Sequence, residues 1–140
     1  MVGPVPPDPD WPRAHTSVEA SDLAGRRILI VEDEFFLALY LEDALRAAGC
    51  AIVGPFGNLP SATRAARSEP FDFAILDINL NGDAVYPLVD ELLARRIPLV
   101  FLTGYGRSAL PQEYRTIPRL SKPCDPVLLI QEVRRALRPK

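Results

Sequence analysis

The chain has 140 residues, enough for one domain of ordinary size, and at 48% hydrophobic and 24% charged it lies near the globular average, which excludes wholesale disorder. A net charge of −2 argues against a nucleic-acid grip, and no apolar run approaches the roughly 18 residues needed to span a bilayer. Two cysteines and one histidine exclude a disulfide framework, His-rich metal sites and any catalytic set needing two imidazoles.

Pro4, Pro6, Pro7, Pro9 and Pro12 crowd the first twelve residues, leaving too few amide donors for a helix or a central strand. Residues 1–25 are therefore expected to be an extended, mobile tail. Its only large apolar group, Trp11, reads either as a dispensable tail residue or as a docking anchor. The start has neither a basic nor an apolar stretch of the secretory kind, and a reducing cytoplasm is the expected location.

From Arg26 to the end, a single domain over 26–140 is expected. Short apolar runs alternate with amphipathic segments: RILIVE (27–32), AIVG (51–54), FDFAILD (71–77), PLVFL (98–102) and IPRLS (117–121). Near-continuous apolar runs are what strands look like when both faces of a parallel sheet are covered. Between them, Leu37, Leu41, Ala44, Leu45 and Ala48 recur at helical spacing, with Gly49 as a stop. Pro60 to Glu69 is a shorter helix. Val85, Leu88, Val89, Leu92 and Leu93 predict another, and Leu129, Val133, Ala136 and Leu137 the last. This alternation predicts right-handed βαβ units and a doubly wound α/β sheet. Cys50 and Cys124, without CxxC spacing, are expected to be packed as small hydrophobes.

Ligands of open α/β sheets bind beyond the carboxyl ends of the strands. There the first strand ends in Glu32-Asp33-Glu34, the third in Asp77, the fourth in Thr103 and the fifth in Lys122. A carboxylate after one strand is often only a helix cap, but capping does not account for four strand ends that agree. Mg²⁺ takes oxygen ligands and keeps several waters, so Asp33, Asp77 and Glu32 suit it. Carboxylates this close repel one another, and Lys122 and the metal offset that cost. A carboxylate is also a nucleophile toward phosphorus, giving an aspartyl-phosphate, with Thr103 and Lys122 binding the transferred oxygens.

With these residues on the page, the chain over 26–138 resembles the receiver domain of two-component response regulators. The acidic pair Glu32-Asp33 after ILIV, the segment ILDINLNG around Asp77, Thr103 and Lys122-Pro123 stand in that family's order. The resemblance implies a flavodoxin-like five-stranded parallel sheet of order 2-1-3-4-5. It implies Mg²⁺ as cofactor and phosphorylation of Asp77 by a histidine kinase. It also implies a metal ligand from the Asn79 backbone carbonyl and a cis bond before Pro123 that aims Lys122. Such a protein catalyses only its own phosphorylation and dephosphorylation. It would stand alone and signal through protein contacts, with neither nucleic acid nor membrane as a partner, and a phosphorylation-dependent homodimer is compatible with it.

Two departures from the family pattern bear on signalling. Arg119 stands where most receivers carry an aromatic residue three positions before the lysine. Only nineteen positions separate Thr103 from Lys122, about one helical turn fewer than usual. Pro98, Phe101, Thr103, Gly104 and Tyr105 resemble the "FAT GUY" receiver subgroup, with Leu99 and Leu102 departing from its signature. Tyr105, hinged at Gly104, is therefore a candidate replacement for the switch aromatic. The interval containing Gly104, Gly106, Pro111 and Pro118 is expected to be loose, with barely one helical turn at 111–115, and to order on phosphorylation. Two rival functions use the same acids. A phosphorylation-independent pseudo-receiver would dock partners, and a Toprim-like Mg²⁺ enzyme would want Asp-x-Asp where this chain has Asp77-Ile78-Asn79.

Overall fold

The structure is a computed structural model and describes residues 22–104 and 110–138. Its elements are β1 (Arg27–Val31), α1 (Phe35–Ala47), β2 (Ala51–Phe56), α2 (Leu59–Ser68), β3 (Phe73–Asp77), β4 (Asn79–Leu80), β5 (Asp83–Ala84), α3 (Tyr86–Ala94), β6 (Leu99–Thr103), β7 (Arg119–Ser121) and α4 (Pro126–Leu137). Five strands form one parallel sheet in the order β2-β1-β3-β6-β7. This is the 2-1-3-4-5 order of the flavodoxin-like fold, with β6 and β7 as the fourth and fifth strands.

The alternation of side chains along each strand divides the core into two layers. Leu29, Val31, Ala74, Leu76, Leu99 and Phe101 face one way, onto Ala62 and Ala66 of α2 and Leu88, Val89 and Leu92 of α3. Ile28, Ile30, Phe73, Ile75, Val100 and Leu102 face the other way, onto Leu41 and Leu45 of α1 and Leu129 and Val133 of α4. Cys50 and Cys124 are free thiols buried in the second layer. Asn58 and Asp125 cap α2 and α4, their side chains accepting from the N–H groups of Ser61 and Val127.

Three features differ from the expectations. The end of the expected tail packs onto the sheet and its helices. Leu23 is buried within the α1/α4 layer and the N–H of Gly25 donates to the carbonyl of Gly49. The remainder of the expected tail, residues 1–21, lies outside the described residues. Next, a two-stranded hairpin follows β3, with β4 and β5 antiparallel and joined at Asn81-Gly82. Both of these residues have positive φ, 51° and 95°, the backbone that an Asn-Gly hairpin turn requires.

Finally, the later part of the segment between β6 and β7 is anchored. Leu110, Tyr114 and Ile117 are buried in the α2/α3 layer, and the turn there is a 3₁₀ turn over Gln112–Tyr114. Tyr114 stacks on Tyr86 with ring centroids 4.6 Å apart, and its hydroxyl donates to Asp90 Oδ1 at 2.7 Å. These contacts supply the packing that an isolated turn lacks. Among the described residues two peptide bonds are cis, Gly54–Pro55 and Lys122–Pro123.

The burial of Leu23 gives a direct check on where the domain begins. Leu23→Ala should lower the unfolding free energy by about 2–5 kcal/mol, as for other buried leucines. A denaturation midpoint unchanged from the parent protein would return Leu23 to the tail.

Candidate functional site

The site lies at the carboxyl edge of the sheet, where β1, β3, β6 and β7 deliver their last side chains to one place. Glu32, Asp33 and Asp77 each present a carboxylate oxygen, and these oxygens lie within 4.8 Å of one another. Glu32 and Asp77 are buried, and Asp33 is half-buried. Three carboxylates at this distance repel in proportion to how little water screens them.

Lys122 supplies the opposing charge. Its Nζ donates to Asp77 Oδ2 at 3.0 Å, Glu34 Oε1 at 3.1 Å and Glu32 Oε2 at 3.2 Å. Backbone amides share the load: Glu34 N–H donates to Glu32 Oε2, and Asn79 N–H to Asp77 Oδ1. The N–H of Asn81, at the tip of the β4–β5 hairpin, donates to Asp33 Oδ2 at 3.0 Å. The Asn79 side chain in turn accepts from the N–H of Gly82. The hairpin thus fastens the segment after Asp77 onto the acidic loop after β1.

These surroundings shift the titration of Glu32, Asp77 and Lys122. Burial pushes the Glu32 carboxyl up to about 7, with the Asp77 charge adding to the rise and Lys122 opposing it. Asp77 is raised as well, by burial first, against the hydrogen bond from Lys122 that lowers it. For Lys122 burial acts to lower the value, yet its hydrogen bonds to Asp77, Glu34 and Glu32 leave the ammonium above its ordinary range. The cluster carries more negative charge than one ammonium neutralises.

One buried oxygen marks where an additional group would bind. Thr103 Oγ1 is shielded from solvent without a hydrogen-bond partner, a costly state that bound ligands or ions relieve, whereas Glu32 Oε1 lies 3.1 Å from the Lys122 ammonium. A hard divalent cation fits the carboxylate side of the site, since its preferred ligands are the oxygens already assembled there. A cavity of about 280 Å³ opens beside Glu32 and Asp33 and is lined further by Phe35, Leu39, Glu42 and Pro55.

The structure therefore brings Glu32, Asp33, Asp77, Thr103 and Lys122 into one site. Asn79 joins it through the hydrogen bond that its backbone N–H donates to Asp77 Oδ1, and Pro123 follows Lys122 through the cis bond. Gly104 is exposed beyond Thr103, and Tyr105 lies outside the described residues. Sequence reasoning gave no role to Asn81, although the Asn-Gly pair between short apolar segments was a readable hairpin signal. The pairing of Glu34 with Lys122 had no local signal, because it joins loops far apart in the chain.

Residues 28–134 match the family model described as "Response regulator receiver domain". The chain is 30% identical over 100 residues to the transcriptional regulatory protein PdtaR of Mycobacterium tuberculosis, covering 71% of this chain and 49% of that protein. It is 34% identical over 116 residues to the transcriptional activator protein IrlR of Burkholderia pseudomallei, covering 80% and 50%. It thus spans about half the length of these curated relatives. Among solved structures, SdrG from Sphingomonas melonis Fr1 superimposes with a TM-score of 0.72 at 35% identity, covering 83% of this chain and 97% of that one. Its BeF3-activated conformation matches with a TM-score of 0.68 at 36% identity, covering 81% and 97%.

The raised Glu32 value makes cation binding depend on pH. In the cation-free protein Glu32 keeps its proton below about 7, and a proton competes with a metal for the same oxygens. Asp77, Asp33 and Lys122 face the same group. Saturating Mg²⁺ should therefore raise the melting temperature more at pH 8 than at pH 5.5. Equal shifts at the two pH values would remove Glu32 from the set that holds the ion.

Proposed function

The chain belongs to the response regulator receiver family, and from that premise we propose that Asp77 is its phosphoacceptor, taking a phosphoryl group from a histidine kinase in a Mg²⁺-dependent reaction. The observation that carries this reading is the pairing of a buried Asp77, gripped by Lys122, with a buried Thr103 hydroxyl that has no partner. A site complete in itself would not leave that hydroxyl unsatisfied.

In this mechanism a carboxylate oxygen of Asp77 attacks phosphorus. The new O–P bond forms as the bond from phosphorus to the donor's leaving atom breaks, and the leaving group departs with that electron pair. Lys122 and Thr103 bind the phosphoryl oxygens, where charge accumulates in the transition state. Glu32, Asp33, Asp77 and the Asn79 carbonyl would hold Mg²⁺, which supplies charge neutralisation between the carboxylates and the incoming phosphoryl group.

Support for a protein donor comes from the surface around the site. Phe35 and Phe36 at the start of α1 are 71% and 81% exposed, in edge-to-face contact, and Leu39 and Tyr40 extend the patch. Val127 and Leu128 at the start of α4 are exposed as well. Both helices begin at the carboxyl edge of the sheet, so this apolar surface borders the acids. Exposed apolar patches of this kind mark protein contacts. Among the described residues no helix is long and apolar enough to cross a membrane.

We also assign the chain to the FAT GUY subgroup, on Pro98, Phe101, Thr103, Gly104 and Tyr105. In that assignment the output switch involves Gly104 and Tyr105 rather than an aromatic residue on β7, where Arg119 stands.

Incubation with acetyl phosphate and Mg²⁺ should add one phosphoryl group to the intact protein by mass. Asp77→Asn, nearly isosteric, should abolish the label while leaving the fold unchanged, and Thr103→Ala should slow labelling by about 10²-fold. Full labelling of the Asp77 variant would overturn the assignment.

A further inference from the structure

Glu34 occupies the N-cap of α1 yet does not cap it: its side chain makes no hydrogen bond to the first turn of the helix. Glutamate is not among the favoured N-cap residues, and a residue at this place ordinarily spends its side chain on the orphan amides. The Glu34 carboxylate instead reaches Lys122, with Oε1 at 3.1 Å from Nζ.

That contact completes the ammonium's valence. Lys122 has three N–H donors, and in the free protein they go to Glu32, Glu34 and Asp77. None remains for a phosphoryl oxygen. The three acceptors are not equally replaceable. The Glu32 side chain is fully buried and that of Asp77 is 10% exposed, whereas that of Glu34 is 63% exposed. Releasing either buried carboxylate would leave a charge unpaired away from water, but Glu34 can turn to solvent at little cost.

We propose that Glu34 is a positioning residue that competes with the incoming phosphoryl group for Lys122, holding the ammonium in the free protein and restraining phosphorylation. This rests on Asp77 being the acceptor. In the free state Glu34 keeps Lys122 over the site. During transfer it is the partner that Lys122 gives up. Replacing it by glutamine keeps the length and a neutral acceptor while weakening the competing grip, so the phosphoryl oxygens meet a freer ammonium.

The test compares labelling by acetyl phosphate, with Mg²⁺ present, in the parent protein, Glu34→Gln, Lys122→Met and the double variant. Glu34→Gln should label about two- to fivefold faster than the parent, the upper part of the range expected from loss of one exposed ion pair. In the Lys122→Met background the same change should bring no acceleration, because the two side chains act through one contact. An unchanged rate in Glu34→Gln would overturn the proposal. So would equal acceleration in both backgrounds, which would assign the effect to the field of the carboxylate rather than to its hold on Lys122. Absence of label on the parent protein would overturn the Asp77 reading instead, and the Glu34 proposal would fall with it.

Discussion

The Lys122 ammonium is the interaction on which the rest of the site depends. Parallel strands deliver their carboxyl ends to one edge, where Glu32 and Asp33 follow β1 and Asp77 ends β3. Glu32, Asp33 and Asp77 would repel one another within 4.8 Å if no cation stood among them. One ammonium bridging Glu32, Glu34 and Asp77 holds the acids together, but it does not neutralise them. The excess negative charge gives a divalent cation a place to bind, and the unpartnered Thr103 hydroxyl does the same for an anion's oxygen. The protein is folded around an incomplete charge balance, and completing it is the proposed chemistry.

Much of this was legible in the sequence because two periodicities carry it. Apolar runs such as ILIV and FAIL mark strands covered on both faces, and each such strand points its last polar residue at the same edge. Glu32, Asp33, Asp77, Thr103 and Lys122 could therefore be assembled from strand order alone. The charged partners beyond them could not. Glu34 pairs with Lys122, and the Asn81 amide with Asp33, across loops whose relative placement is set by tertiary packing. Composition also misled the reading at Leu23. Its proline-rich surroundings suggested tail, while its single side chain fills a gap in the α1/α4 layer.

The segment between β6 and β7 shows where propensity loses to packing. Prolines and glycines there argue against any regular structure. Yet Leu110, Tyr114 and Ile117 are buried, and Tyr114 is fixed twice, by its stack on Tyr86 and by its hydrogen bond to Asp90. That hydrogen bond and the burial of the ring push the Tyr114 phenol up to about 12. Such anchors lie outside the reach of local pattern, since Asp90 and Tyr86 belong to α3. Arg119 leaves β7 without the aromatic group most receivers carry at that place, and the aromatic density of this region sits instead in Tyr86, Phe101 and Tyr114.

In the proposed chemistry Asp77, Thr103 and Lys122 form one phosphoryl-binding site whose polar groups are satisfied only when it is filled. A structure of the protein with Mg²⁺ and beryllofluoride tests it most directly. Beryllofluoride is expected on an Asp77 oxygen, with the Thr103 hydroxyl donating to a fluorine and the Lys122 ammonium moved from Glu34 onto the bound group. A beryllofluoride complex placed elsewhere, or one on Asp77 that leaves the Thr103 hydroxyl without a partner, would contradict it.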